Sequence, residues 1–108
     1  MSEHSAGDQT IRGFQARIRD LYGAKDAARG DSATFLYLVE EIGEVATALR
    51  SGTDEELALE MADVLAWLVT LASIRGIDLA DAADKKYGQR CPGGCGQVPC
   101  GCDPAEKP

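Results

Sequence analysis

The chain has 108 residues, enough for one small domain, and eighteen acidic against eleven basic residues give a formal net charge of -7, which disfavours binding to nucleic-acid polymers or anionic membranes. A core of this size is marginal alone, so an oligomer that shares its core between subunits, a homodimer or homotetramer, is expected. Charges interrupt every apolar run before ~20 residues and residues 1–10 lack a basic segment leading into an apolar one, so the expectation is a cytoplasmic protein with no membrane span and no secretory signal.

Residues 1–7 are polar and read as a disordered N-terminus, with no specific role for His4. Asp8 is placed to cap a first helix in which Ile11, Phe14, Ile18, Leu21 and Tyr22 recur at helical spacing, and Gly23 to end it. Ala24–Asp31 shows no apolar period and contains Gly30, so it reads as a loop that exposes Lys25 and Arg29. Ser32 then caps a second helix that runs to Arg50 and stops at Ser51 and Gly52, with Phe35, Leu38, Val39, Ile42, Val45, Ala46 and Leu49 as its core stripe. Gly43 inside that helix costs roughly 1 kcal/mol relative to Ala, which points to the close approach of another helix or of a bound ion.

Thr53 followed by Glu56 is a capping box, and Asp54 and Glu55 add negative charge at the positive end of the third helix. The turn before it is so short that helices two and three must form an antiparallel hairpin. The third helix ends at Arg75 and Gly76, and Asp78 caps a short fourth helix, Leu79–Tyr87, closed by Gly88. No segment reads as a strand. The class is all-α, with a helical domain over residues 8–88 and a Cys/Gly/Pro-rich tail over 89–108.

Leu57–Ile74 is apolar nearly all round yet carries Glu60 and Asp63, which share one face a turn apart. Ala33–Leu49 is likewise mostly apolar and carries Glu40, Glu41 and Glu44. The two stretches hold five carboxylates and no base, with Arg50 and Arg75 just beyond them. An unpaired buried carboxylate is too costly to keep ionised, so a cation is needed, and clustered oxygen ligands suit a hard divalent ion, Mg²⁺ above all. Two other readings stand beside this one. Helix acids often form a solvated face, and Glu60 and Asp63 could pair with Arg or Lys from helix one of a second subunit.

The four cysteines, Cys91, Cys95, Cys100 and Cys102, lie within twelve residues among glycines and prolines that permit tight turns. In a cytosolic chain such a cluster points to metal binding or free thiols and not to a disulfide framework. Four thiolates suit a closed tetrahedral Zn²⁺ site that would organise a tail with no apolar core. The intervening spacings of three, four and one residues depart from paired CxxC motifs, so a redox-sensitive tail and disulfides formed on oxidation remain as readings.

Glu40-Glu41-Ile42-Gly43-Glu44 followed by Glu60-Met61-Ala62-Asp63 resembles the EExGE and ExxD signature of the MazG-like nucleoside triphosphate pyrophosphohydrolases, an all-α superfamily, and the resemblance covers roughly Ile11 to Tyr87. It implies a four-helix, MazG-like bundle completed by oligomerisation, and a hydrolase that splits a nucleoside triphosphate into monophosphate and pyrophosphate. It also implies that Glu41, Glu44, Glu60 and Asp63 hold Mg²⁺, or Mn²⁺ in its place, while Glu40, the extra acid of the first motif, is a partner that supports those ligands, a base that orients the attacking water, or merely exposed. Lys85 and Lys86 loosely match the phosphate contacts such enzymes carry near the fourth helix, although the accompanying Asn has no counterpart because the chain contains no Asn. Lys25 and Arg29 are alternative phosphate contacts. Trp67, four residues after Asp63 on the same face, is the best of the aromatic side chains for stacking on a base, ahead of Phe35 and Tyr37. The readings of other classes are a non-catalytic helical metal-binding or interaction module and a zinc-dependent regulator centred on the tail.

Overall fold

A computed structural model of the chain describes residues 9–106. Among them are four α-helices, α1 (Ile11–Arg29), α2 (Asp31–Ser51), α3 (Asp54–Ile74) and α4 (Leu79–Tyr87), and no strand. The all-α expectation therefore holds. The expected disorder of residues 1–7, His4 and the Asp8 cap lie outside the described residues. Thr10 caps α1, its side-chain oxygen accepting from the backbone N–H of Gly13 at 2.9 Å.

α1 does not stop at Gly23. It continues to Arg29, so Lys25 and Arg29 stand on a helix and not in a loop. Ala24, Ala27 and Ala28 are strong helix formers, and one Gly costs only about 1 kcal/mol against the contacts a longer helix makes. The face it presents, Ile18, Tyr22, Asp26 and Arg29, keeps the helical period with two polar residues where apolar ones would have announced it. The link to α2 is Gly30 alone, at φ 83° and ψ 172°, with its N–H donating to the Asp26 carbonyl at 3.0 Å. Glycine reaches that region without a steric penalty, so α2 begins at Asp31 and needs no Ser32 cap.

α2 and α3 make the most extensive packing, and α1 lies chiefly against α3. The hairpin turn is set by the capping box: Thr53 Oγ1 accepts from the Glu56 N–H at 3.2 Å and the Thr53 N–H donates to Glu56 Oε1 at 3.1 Å. The far end of α1 is clamped by Gln15, whose buried amide donates to Ser73 Oγ at 3.0 Å and to the Ile77 carbonyl at 2.8 Å. Exposed ion pairs, Arg75 with Asp31 at 2.9 Å and Arg12 with Asp78 at 3.1 Å, join the same elements and add little stability.

The core of the single chain is small: Ile18, Leu38, Ala48, Val69 and Ala72, with Thr34 and Thr70 buried beside them. Of the stripe expected to bury on α2, Phe35, Val39, Ile42 and Leu49 are instead exposed, Leu49 to 71%. Leu59, Met61, Leu65 and Leu68 are exposed on α3. A Cβ at Gly43 would meet nothing within 4 Å, so the close approach expected there is not made inside this chain.

With 21 residues, α3 is the one described helix long and apolar enough to cross a membrane by length and composition. The expectation that its charges would break the run too early fails on that measure. Glu60 and Asp63, however, meet Glu41 on α2, and α3 packs on both neighbouring helices. Those are the features of a bundle helix.

The residues from Leu79 onward form a second compact unit. It consists of α4, which buries no residue, followed by turns from Gly88 to Glu106. The change in composition at Gln89 falls inside it.

Gly30→Ala tests the one-residue connection. The φ and ψ of Gly30 are nearly inaccessible to other residues, while a Cβ there would meet nothing within 4 Å, so any loss is backbone strain alone. Urea unfolding should show a destabilisation of about 1–3 kcal/mol.

Candidate metal and nucleotide site

The hairpin sets which acids can meet. Glu41 and Asp63 are both eleven residues from Gly52, and Glu44 and Glu60 are both eight, so the pairs face one another across antiparallel helices. In the structure a carboxylate oxygen from each of Glu41, Glu60 and Asp63 lies within 4.8 Å of the others. Glu41 and Glu60 are half-buried and Asp63 is exposed. Glu44 and Glu40 stand outside that trio and are exposed.

The ion pairs of the described helical unit link Arg12, Arg29 and Arg75 to Asp78, Asp26 and Asp31, and none reaches this group. Burial, and after it the charges of Asp63, Glu60, Glu44 and Glu40, raise the Glu41 carboxyl above its usual range. Glu44 and Glu40 are thus near enough to act through their charge. Three hard oxygen donors with no cationic side chain fit a divalent cation. The limit of 4.8 Å on their mutual distances sets them close enough to share one ion such as Mg²⁺, whose opposite oxygen ligands stand about 4.2 Å apart.

Beside Asp63 a cleft of about 360 Å³ opens between α1 and α3, lined by Ile18, Tyr22, Lys25, Asp26, Arg29, Asp63, Ala66, Trp67 and Thr70. The extension of α1 beyond Gly23 adds Lys25, Asp26 and Arg29 to the wall that Ile18 and Tyr22 begin. Lys25, Arg29 and Trp67, separately picked out in the sequence, therefore share a cavity with one of the clustered acids. Trp67 stacks on Tyr37 with ring centroids 5.0 Å apart and an interplanar angle of 27°. The Arg29 guanidinium carbon is 4.8 Å from the Trp67 centroid and 5.9 Å from that of Tyr37. Those three distances are too short for Arg29 and Tyr37 to lie on opposite faces of the indole.

Arg29 is held in place by Asp26, to whose Oδ1 it donates at 2.9 Å, and by Thr34 Oγ1 at 3.3 Å. Thr70 Oγ1 donates to the other Asp26 oxygen at 3.4 Å. Asp26 is 7% exposed, a buried acid whose ion-pair partner Arg29 is half-buried. Asp26, Thr34 and Thr70 went unnoticed in the sequence, and Tyr22 was visible only as part of the apolar face of the first helix. The usable signal was the spacing of four from Ile18 to Tyr22 to Asp26, which runs through Gly23.

Phe35 is exposed on α2 and does not line the cleft. Lys85 and Lys86 belong to the second unit, in the last turn of α4, where they border a groove with Asp84, Gly88, Gln89 and Arg90. Lys86 Nζ lies 5.6 Å from the Tyr87 ring centroid. In the same unit the sulfurs of Cys91, Cys95, Cys100 and Cys102 all lie within 4.8 Å of one another. Backbone N–H groups of Gln97 and Gly101 on the Cys95 sulfur bring its thiol down to about 6.

Compared with known protein families, residues 29–95 match the MazG nucleotide pyrophosphohydrolase domain. The matched stretch contains Glu40, Glu41, Glu44, Glu60, Asp63 and Trp67. It begins at Arg29 and ends at Cys95, so most of α1, with Lys25, and two of the four cysteines lie beyond it.

The raised Glu41 carboxyl sets a pH dependence. The folded chain binds that proton more tightly than the unfolded one, so stability falls as pH rises from the unfolded value of 4.5 through the raised folded one. In metal-free protein at pH 7, Glu41→Gln should raise the melting temperature, and the gain should vanish by about pH 4. A melting temperature unchanged by the substitution at both pH values would contradict the mutual repulsion inferred here.

Proposed function

The chain belongs to the MazG nucleotide pyrophosphohydrolase family, and from that premise we propose that it is a Mg²⁺-dependent enzyme, with Mn²⁺ able to substitute, that cleaves nucleoside triphosphates to monophosphate and pyrophosphate. The observation that supports this most directly is the convergence of Glu41, Glu60 and Asp63 across α2 and α3 without an ion-paired base. In the proposed reaction the oxygen of a water attacks the α-phosphorus as the bridging bond to the β-phosphate breaks, and pyrophosphate leaves.

Glu41, Glu60 and Asp63 would hold the metal, with Glu44 one turn along α2 completing the set. A divalent cation there would supply positive charge against the phosphate oxygens and make water more acidic. Glu40, exposed next to Glu41, is the candidate to accept the proton from the attacking water. Lys25, exposed on the rim of the cleft, would meet the phosphates. Trp67 would stack on the base, and Arg29, fixed by Asp26 and Thr34, would keep the indole in position.

A dimer, or a pair of dimers, belongs to the same proposal. Phe35, Val39, Ile42, Leu65 and Leu68 are large apolar side chains left outside the single-chain core, and burying them against a second copy would remove them from water.

Pyrophosphate release from a panel of nucleoside triphosphates, with and without Mg²⁺, tests the assignment. Glu41→Gln and Asp63→Asn should each lower the rate about a hundredfold or more while far-ultraviolet dichroism stays unchanged. Release that persists undiminished in both variants, or that is absent with every nucleotide, would end the proposal. Trp67→Ala should raise KM about tenfold with kcat largely kept, and Trp67→Phe should recover most of the loss. Equal losses in KM for Trp67→Ala and Trp67→Phe would argue against stacking.

A further inference from the structure

The cysteine cluster has no part in the proposed phosphate chemistry, and its geometry is specific. Cys91 Sγ and Cys102 Sγ are 3.9 Å apart, Cys95 Sγ and Cys100 Sγ are 3.8 Å apart, and all four sulfurs lie within 4.8 Å of one another. A zinc ion at ~2.3 Å from each of four thiolates sets sulfur–sulfur edges of about 3.8 Å. Disulfide sulfurs would sit at about 2.05 Å. Cysteines on a polynuclear iron–sulfur cluster are divided among more than one iron, so all four do not stand this close together. The spacing therefore matches a single tetrahedral ion.

The backbone is arranged around the sulfurs as well. Cys91, Cys95 and Cys100 each accept from the N–H two residues ahead, those of Gly93 at 3.3 Å, Gln97 at 3.4 Å and Cys102 at 3.3 Å. The Gly101 N–H adds a second donor to Cys95 at 3.3 Å. Amide donors aimed at sulfur stabilise negative charge there, as a thiolate ligand set needs. The turn at Cys95 also depends on a glycine. Gly96, immediately after Cys95, has φ 59°, which only glycine adopts freely.

The segment has little else to hold it together. From Gln89 to Glu106 no residue is buried, and no regular helix or strand is present. Twelve residues carrying four inward-turned sulfurs and almost no apolar contact need a crosslink to keep one shape. We infer that Cys91, Cys95, Cys100 and Cys102 bind one structural Zn²⁺ that folds residues 91–102 into a closed knuckle. Four thiolates fill a tetrahedral shell and leave no position for substrate, so this ion shapes the segment and takes no part in hydrolysis. Because the family match ends at Cys95, half of the ligand set comes from sequence beyond it.

The test uses the full chain purified under reducing conditions. Elemental analysis should find one zinc per chain, and exchange for Co²⁺ should give the d–d and thiolate charge-transfer bands of a tetrahedral tetrathiolate. Joint replacement Cys95→Ser with Cys100→Ser should reduce bound zinc to about a tenth or less, with the dichroism of the helices retained as proof of folding. Chelation of the wild-type protein should also expose the Arg90–Cys91 bond to trypsin. Absence of metal combined with failure to take up added Zn²⁺, iron in place of zinc, or two disulfides in the native chain would each overturn the inference.

Discussion

Like charges brought together across a helical hairpin, with no cationic side chain among them, are the constraint from which the rest of this structure follows. Glu41, Glu60 and Asp63 converge because α2 and α3 are antiparallel and pivot at Gly52, and the pivot is fixed by the Thr53–Glu56 capping box. Water can screen the exposed Asp63, but the half-buried Glu41 and Glu60 keep part of their repulsion. A sequence selected for stability alone would place a lysine or arginine within reach. Here Arg12 and Arg29 of α1 and Arg75 at the C-cap of α3 are paired with Asp78, Asp26 and Asp31 instead. The negative charge between the helices thereby lacks an ion-paired base, and in the function proposed above a divalent cation would balance it against the charge of a nucleotide.

The second organising feature is the division of labour along α1. Its early turns are tied to the end of α3 through Gln15, and its late turns carry the side chains that face Asp63 and Trp67. Asp26 connects the two roles: its backbone carbonyl accepts from Gly30 and its carboxylate orients Arg29 beneath the aromatic pair. One buried acid thus fixes both a helix junction and a wall of the cleft.

Much of this was readable in the residues, for reasons that differ by element. The α2–α3 hairpin was legible because Thr53 and Glu56 announce a helix start immediately after Ser51 and Gly52. The acids were legible because charges stand out in apolar helices. The length of α1 was not, since Gly23 mimics a stop and the continuing face is polar at Asp26 and Arg29, whose burial depends on partners 5 to 44 residues away. The fate of the α2 stripe was also hidden. Periodicity shows which residues share a face, and Leu38 and Leu49 lie on one that this chain covers at Leu38 and leaves open at Leu49. The cysteine spacing looked irregular when counted along the chain, yet the turns bring all four sulfurs within 4.8 Å of one another.

The single glycine between α1 and α2 has a mechanical consequence. A longer linker would let α1 swing like a flap and change the width of the cleft freely. With Gly30 hydrogen-bonded to the last turn of α1 and Gln15 latched at the other end, α1 behaves as a strut pinned at both extremities. The wall that α1 gives the cavity next to Asp63 is thereby held at both ends, so in the proposed enzyme discrimination among nucleotides would fall to side chains such as Tyr22 and Lys25 within it.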